Sequence, residues 1–218
     1  MSVAAVVFDL DGVLVDSEQV WDDARRELVA ERGGTWTDDA TRAMMGMSSP
    51  EWSRYVHEEL GVDLEPAAIS AAVVDRLERL YRRRLPLLPG AREAVEALAE
   101  RWPLGLASSS NREIIDLVLE LSGLASAFTA TASSEEVARG KPAPDVYLEA
   151  ARRLDVLAAD CAAVEDSSNG LRAAAAAGMT VIALPNSAFP PDEDALRLAA
   201  AVIHSLDDLR PTLPALAA

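Results

Sequence analysis

The chain has 218 residues, 50% of them hydrophobic and 26% charged. That is enough to bury a large core unaided, and too apolar for wholesale disorder. Asp and Glu outnumber Lys and Arg by 36 to 20, a formal charge of −16, which excludes a default attraction to nucleic acid or to anionic membranes. In chain order, the opening MSVAAVVFDLDG carries no basic stretch ahead of its apolar run, so it does not read as a secretion signal. No stretch reaches the roughly 18 apolar residues of a membrane span. Residues 3–8 read as a buried strand that ends in a polar loop. Residues 17–85 then read as helices only, over 19–32, 37–45, 49–60 and 66–84. The run LPLLPG at 85–90 marks a boundary.

Beyond it the pattern alternates. Helices over 91–101, 111–122, 145–154 and 168–177 interleave with strands over 104–107, 128–132, 161–164 and 180–184. A weak strand at 201–203 and a C-terminal helix close the chain. Repeated βα units with apolar strands predict a parallel sheet with helices on both faces, a Rossmann-like α/β core. The helical stretch interrupts that core, which predicts a core of 1–16 and 86–218 and an inserted helical cap of 17–85. The alanine run 173–177 is expected to pack on the sheet. Cys161 is the lone cysteine. It excludes an internal disulfide and a cysteine-based zinc site, and it fits a reducing cytoplasm. A monomer is expected at this size.

In an open parallel sheet, ligands bind beyond the carboxyl ends of the strands. Asp9 and Asp11 sit there, two apart, and so point to one side of an extended chain. Such a pair can divide labour, one as nucleophile or metal ligand and the other as acid and base. An EF-hand calcium loop fails, because its sixth position should be Gly and is Leu14. Glu165 and Asp166 follow another strand. Alone they read as a helix cap, but carboxylates converging at one sheet edge call for a divalent cation, and oxygen ligands suit magnesium. Lys141 is the only lysine in the chain. A compact ammonium there suits a phosphate and offsets neighbouring carboxylates. Ser108, Ser109, Ser110 and Asn111 join a strand to a helix, where hydroxyls and amides make an anion site or simply a cap.

Taken in order, DLDGVLVDSE at 9–18, SSS at 108–110, GKPAPD at 140–145 and VEDSSNG at 164–170 resemble the haloacid dehalogenase-like hydrolase superfamily. The wording is similar to the branch that holds β-phosphoglucomutase and sugar-phosphate phosphatases. The resemblance covers nearly the whole chain and implies a phosphatase. On that basis Asp9 attacks phosphorus and becomes a phosphoaspartate, while Asp11 is the general acid and then the base. Magnesium is held by Asp9, the backbone carbonyl of Asp11 and Asp166, with Glu165 as ligand or outer partner. Ser108, with Ser109 beside it, and Lys141 hold the phosphoryl oxygens. The loop at Gly46 corresponds to the family's substrate-specificity loop, and Asn111 and Glu18 stand beside matched motifs.

Departures narrow the choice. Asp11 excludes the dehalogenases, which lack the second acid, and the lysine-free cap excludes the Schiff-base phosphonatases. A mutase grips a second phosphate with a cap histidine and a Lys-Gly-x-x-Arg pattern. Here those positions read Trp21 and Met45-Gly46-Met47-Ser48-Ser49, which favours a hydrolase, although Arg42 or Arg54 offers charge from elsewhere. Met44, Met45, Met47 and Trp52 ordinarily pack within the cap. Facing the site, they imply a leaving group less charged than a sugar bisphosphate. The expectation is a magnesium-dependent phosphatase of a small phosphorylated metabolite, a sugar phosphate foremost, with no nucleic-acid or membrane partner. A β-phosphoglucomutase-like mutase is the alternative, and a silent binding module a third.

Overall fold

The computed structural model describes residues 3–187 and 189–216. Its strands are β1 (Ala5–Phe8), β2 (Leu104–Ser108), β3 (Phe128–Ser133), β4 (Cys161–Glu165), β5 (Thr180–Ala183) and β6 (Ala201–Val202). They form one parallel sheet in the order β3-β2-β1-β4-β5-β6. The chain builds β1, β2 and β3 toward one edge, then crosses back and builds β4, β5 and β6 toward the other. The direction reverses between β1 and β4, and a crevice opens there at the carboxyl ends. Phe8 pairs with Val164, so Asp9 and Glu165 leave the sheet side by side.

The central strands are buried on both faces, which explains their unbroken apolar runs. Alternation still sorts their side chains. Val6 and Phe8 face a cluster that includes Leu98 of α5 (Ala91–Ala99) and Ile114 of α6 (Arg112–Ser122). Ala5 and Val7 face α7 (Asp145–Leu154) and α8 (Ser168–Ala176). On that second face Ala107, Ala132, Ala163, Ala173 and Ala174 are fully buried, so the alanine run packs on the sheet as expected. Two further helices, α9 (Glu193–Leu196) and α10 (Leu209–Leu216), close the chain.

Between β1 and α5 stand four helices, α1 (Glu18–Glu31), α2 (Ala40–Met44), α3 (Ser49–Glu58) and α4 (Pro66–Arg83). Their buried residues recur at helical spacing, as in Trp21, Ala24 and Leu28 of α1 and Ile69, Val73, Leu77 and Tyr81 of α4. The Ser48 amide donates to Glu51 at 2.8 Å, a capping-box contact that starts α3. These helices join the apolar cluster on the Phe8 face of the sheet.

Element boundaries depart from the sequence reading by at most three residues. Helix α2 starts at Ala40, because residues 37–39 turn first. Helix α9 escapes a periodicity argument because four residues complete barely one turn. Among the described residues no helix is long and apolar enough to cross a membrane.

Candidate active site

Asp9 ends β1 in a buried position at the crevice. Lys141, also buried, donates from Nζ to Asp9 Oδ1 at 2.7 Å and to Glu165 Oε1 at 2.6 Å. Both oxygens of Glu165 are engaged. Oε1 also accepts from the Tyr147 hydroxyl at 2.8 Å. Oε2 accepts from the Asp166 and Ser167 amides at 3.0 and 3.1 Å and from Ser167 Oγ at 3.2 Å. Glu165 is therefore a buried strut that fixes Lys141 against Asp9.

Two glycines make the packing possible. A Cβ at Gly170 would lie 1.7 Å from Glu165 Oε1, and one at Gly12 would lie 2.0 Å from Asp166 Oδ2. Gly12 also has φ +80°, where side chains are strained. One carboxylate oxygen from each of Asp9, Glu165 and Asp166 lies within 4.8 Å of the others. Asp166 Oδ2 is buried and has no hydrogen-bond partner among the described residues. An orphaned carboxylate oxygen beside two more carboxylates suits a divalent cation, and the all-oxygen donor set suits a hard one.

Electrostatics point the same way. Burial pushes the Asp9 carboxyl up, and Glu165 and Asp11 add to the push against the pull of Lys141. Asp166 rises for the same first reason, with Glu165 and Asp9 next. Burial alone would lower the Lys141 ammonium, but Asp9 and Glu165 outweigh it and hold it charged.

Asp11 turns the other way. Its Oδ1 accepts from Ser17 Oγ at 2.6 Å and Trp21 Nε1 at 3.0 Å, and its Oδ2 from Ser110 Oγ at 2.5 Å. Its carboxylate stands outside the acidic trio. Ser108 is fully buried at the end of β2, and its Oγ accepts from the Ser110 amide at 3.0 Å. That leaves its own proton to donate. Ser109 lies on the cavity wall and donates to the Gly46 carbonyl at 3.1 Å.

The cavity above Asp9 encloses about 50 Å³, room for a handful of waters. Asp9, Asp11, Lys141 and Asp166 form its floor, and Gly46, Met44, Met45, Met47 and Trp52 stand among its walls. The Met and Trp side chains thus do both jobs weighed from sequence, since Met44 and Trp52 are also core residues. Glu18 lines the cavity rather than a solvated first turn. Asn111 does not line this cavity and stands on a separate groove instead. Its amide accepts from Ser49 Oγ at 2.7 Å and donates to Glu135 at 2.8 Å and Ser70 Oγ at 3.2 Å. It ties α3 and α4 to the sheet domain.

Sequence reasoning missed Arg25. It looked to Arg42 and Arg54, yet Arg42 is exposed and Arg54 lines a different groove, while Arg25 is buried in the cavity wall. The signal was present in the spacing. Glu18, Trp21 and Arg25 stand at i, i+3 and i+7, on one face of α1.

Comparison with known proteins agrees with this geometry. The family model for haloacid dehalogenase-like hydrolases matches residues 3–178. The chain is 35% identical over 189 residues to hexitol phosphatase B of Escherichia coli K12, covering 84% of each chain. It is 33% identical over 177 residues to a phosphorylated carbohydrates phosphatase of Thermotoga maritima, covering 80% of this chain and 82% of that one. A CbbY variant from Rhodobacter sphaeroides, solved with xylulose-(1,5)bisphosphate, superposes with a TM-score of 0.84 at 28% identity, covering 95% of this chain and 96% of that one. With the matched motifs meeting at the β1–β4 crevice, the chain belongs to the haloacid dehalogenase-like hydrolases.

Proposed function

We propose that this chain is a magnesium-dependent phosphatase of small phosphorylated metabolites, sugar phosphates foremost, working through a phosphoaspartate at Asp9. One observation carries the reading. A buried Asp9, held by Lys141 at 2.7 Å, stands among carboxylates of which one, Asp166, has an oxygen without a partner among the described residues. The similarity to a hexitol phosphatase and a phosphorylated carbohydrates phosphatase supports the substrate class.

Asp9 attacks phosphorus while the bond to the leaving oxygen breaks, and Asp11 gives that oxygen its proton. Water then attacks the phosphoaspartate, Asp11 takes a proton from it, and the bond to Asp9 breaks to release phosphate. Lys141 and the hydroxyl of Ser108 hold the equatorial oxygens, with Ser109 beside them bonded to the Gly46 carbonyl, so the charge of the transition state meets fixed donors. Glu165 acts through Lys141. Magnesium would be held by Asp9, Asp166 and the Asp11 carbonyl, and would supply positive charge that screens the carboxylate nucleophile from the phosphoryl anion. Residues 17–85 act as a cap that opens for substrate and product, a reading that the small volume above Asp9 supports. The lone cysteine and the negative charge support an enzyme of the reducing cytoplasm that handles neither nucleic acid nor membranes. We take it as a monomer.

The test is phosphate release with magnesium across phosphorylated sugars, polyols, nucleotides and small acids, with Asp9→Asn as control. Release that vanishes in Asp9→Asn is the expected result. Asp9→Asn with wild-type turnover would overturn the nucleophile. Isomerised sugar phosphate with no free phosphate would make the enzyme a mutase.

A further inference from the structure

Arg25 is 9% exposed, and its Nε has no hydrogen-bond partner among the described residues. No described carboxylate forms an ion pair with it. Asp22, one turn back on α1, is taken by Arg26 and Thr41 instead. The Arg25 guanidinium carbon sits 4.8 Å from the Trp21 ring centroid and 4.9 Å from that of Trp52. Those rings meet edge to face at 6.0 Å. The guanidinium is thus held in place by two aromatic contacts on the wall of the cavity above Asp9. A buried Nε–H without an acceptor is a cost that a bound ligand's oxygen removes.

The charge of the cavity tells which ligand. Asp9, Asp11, Glu18 and Asp166 line it against Arg25 and Lys141 alone. A divalent cation answers Asp9 and Asp166, and Lys141 answers the phosphoryl group, which leaves Arg25 beside Glu18 and Asp11. A second anion on the leaving group would meet those acids as well as Arg25. Neutral hydroxyls fit instead. A guanidinium only donates, the Glu18 carboxyl accepts through its unprotonated oxygen, and each hydroxyl does both.

We propose that Arg25, paired with Glu18, is the specificity-determining subsite for the leaving group, donating to and accepting from neighbouring hydroxyls of a neutral polyol or sugar. The inference rests on the phosphatase reading and deepens it. Trp21 and Trp52 fix the fork, so its direction selects where the hydroxyls lie relative to the phosphorus.

The experiment compares kcat/KM for sorbitol 6-phosphate with that for ethyl phosphate, which carries no oxygen beyond its ester. Fructose 1,6-bisphosphate and 6-phosphogluconate test a second anion. In Arg25→Met the sorbitol-to-ethyl ratio is expected to fall about 10- to 100-fold, mostly through KM. Arg25→Lys, which keeps the charge but loses the planar fork, is expected to lower it at least threefold, and it serves as the readout should Arg25→Met fail to fold. A ratio within twofold of wild type in the folded variant overturns the proposal. So does a wild-type preference above tenfold for either doubly anionic substrate that disappears in Arg25→Met. No release from any substrate by the wild type fells the phosphatase reading and this inference with it. Release with an unmoved ratio fells this inference alone.

Discussion

Asn111→Ala removes three hydrogen bonds, two of which link α3 and α4 to the loop between β2 and α6. The Ser49 bond at 2.7 Å is between neutral groups and contributes about 1 kcal/mol. The Glu135 bond at 2.8 Å meets a carboxylate and contributes about 2 kcal/mol. The Ser70 bond at 3.2 Å is long and adds roughly 0.5 kcal/mol. Asn111 occupies the N-cap position of α6 without a side-chain capping bond, so no capping energy is lost. Glu135 keeps the Arg112 amide at 3.0 Å, so its carboxylate is not stranded. The expected loss is about 3.5 kcal/mol, a fall in Tm of roughly 7–14 °C at this chain length. Urea denaturation with an unchanged m-value measures it. A double-mutant cycle with Ser49→Ala should return a coupling of about 1 kcal/mol. On the proposed reading of residues 17–85 as a cap, the Ser49 and Ser70 bonds form only in the closed state, so their loss is expected to shift opening by about tenfold. Faster limited proteolysis in the linkers at 17 and 85 would report it. A loss below about 0.5 kcal/mol would refute the reasoning, since it would mean that water replaces all three bonds without cost.

Gly12→Ala places a Cβ 2.0 Å from Asp166 Oδ2 at φ +80°. Magnesium affinity, read by calorimetric titration, is expected to weaken about 10- to 100-fold. Magnesium at a hundred times its Kd is expected to stabilise the wild type by about 2.7 kcal/mol, and EDTA should abolish both that shift and phosphate release. An unmoved Tm would count against the metal site. Burial, followed by Asp11, lifts the Glu18 carboxyl from its ordinary 4.5 to about 7, against the pull of Arg25. The folded chain therefore holds a proton that the unfolded chain releases. Glu18's contribution is fully present below pH 4.5 and is lost as pH rises through 7. Glu18→Gln is expected to flatten that slope, on the order of 2 kcal/mol by pH 8, and denaturation at pH 4.5 and pH 8 checks it.

The sheet was legible because double burial leaves strands as bare apolar runs, such as AVVF in β1, that break where the chain exits toward solvent. The acids of the site were legible for the same reason, since Asp9, Glu165 and Asp166 stand where those runs stop. Lys141 was legible as the sole lysine. What spacing could not supply was direction. Asn111 beside a serine loop points equally well into the crevice or toward α3 and α4, and only packing chooses the latter. Arg25 is one arginine among many, and its burial depends on Trp52 arriving from a different helix. Met44 and Trp52 serve two clusters at once, a sharing that no single helical pattern displays.

Asp11 takes its three hydrogen bonds from two bodies. Ser110 belongs to the sheet domain, while Trp21 rides on α1, with Ser17 at its root. If α1 swings away, the indole leaves, and the acid loses one of the contacts that aim it. On the proposed reading, with Asp11 as the acid and residues 17–85 as a cap, proton delivery is tied to closure: an opened site keeps its nucleophile but gives up one of the three bonds that aim its acid.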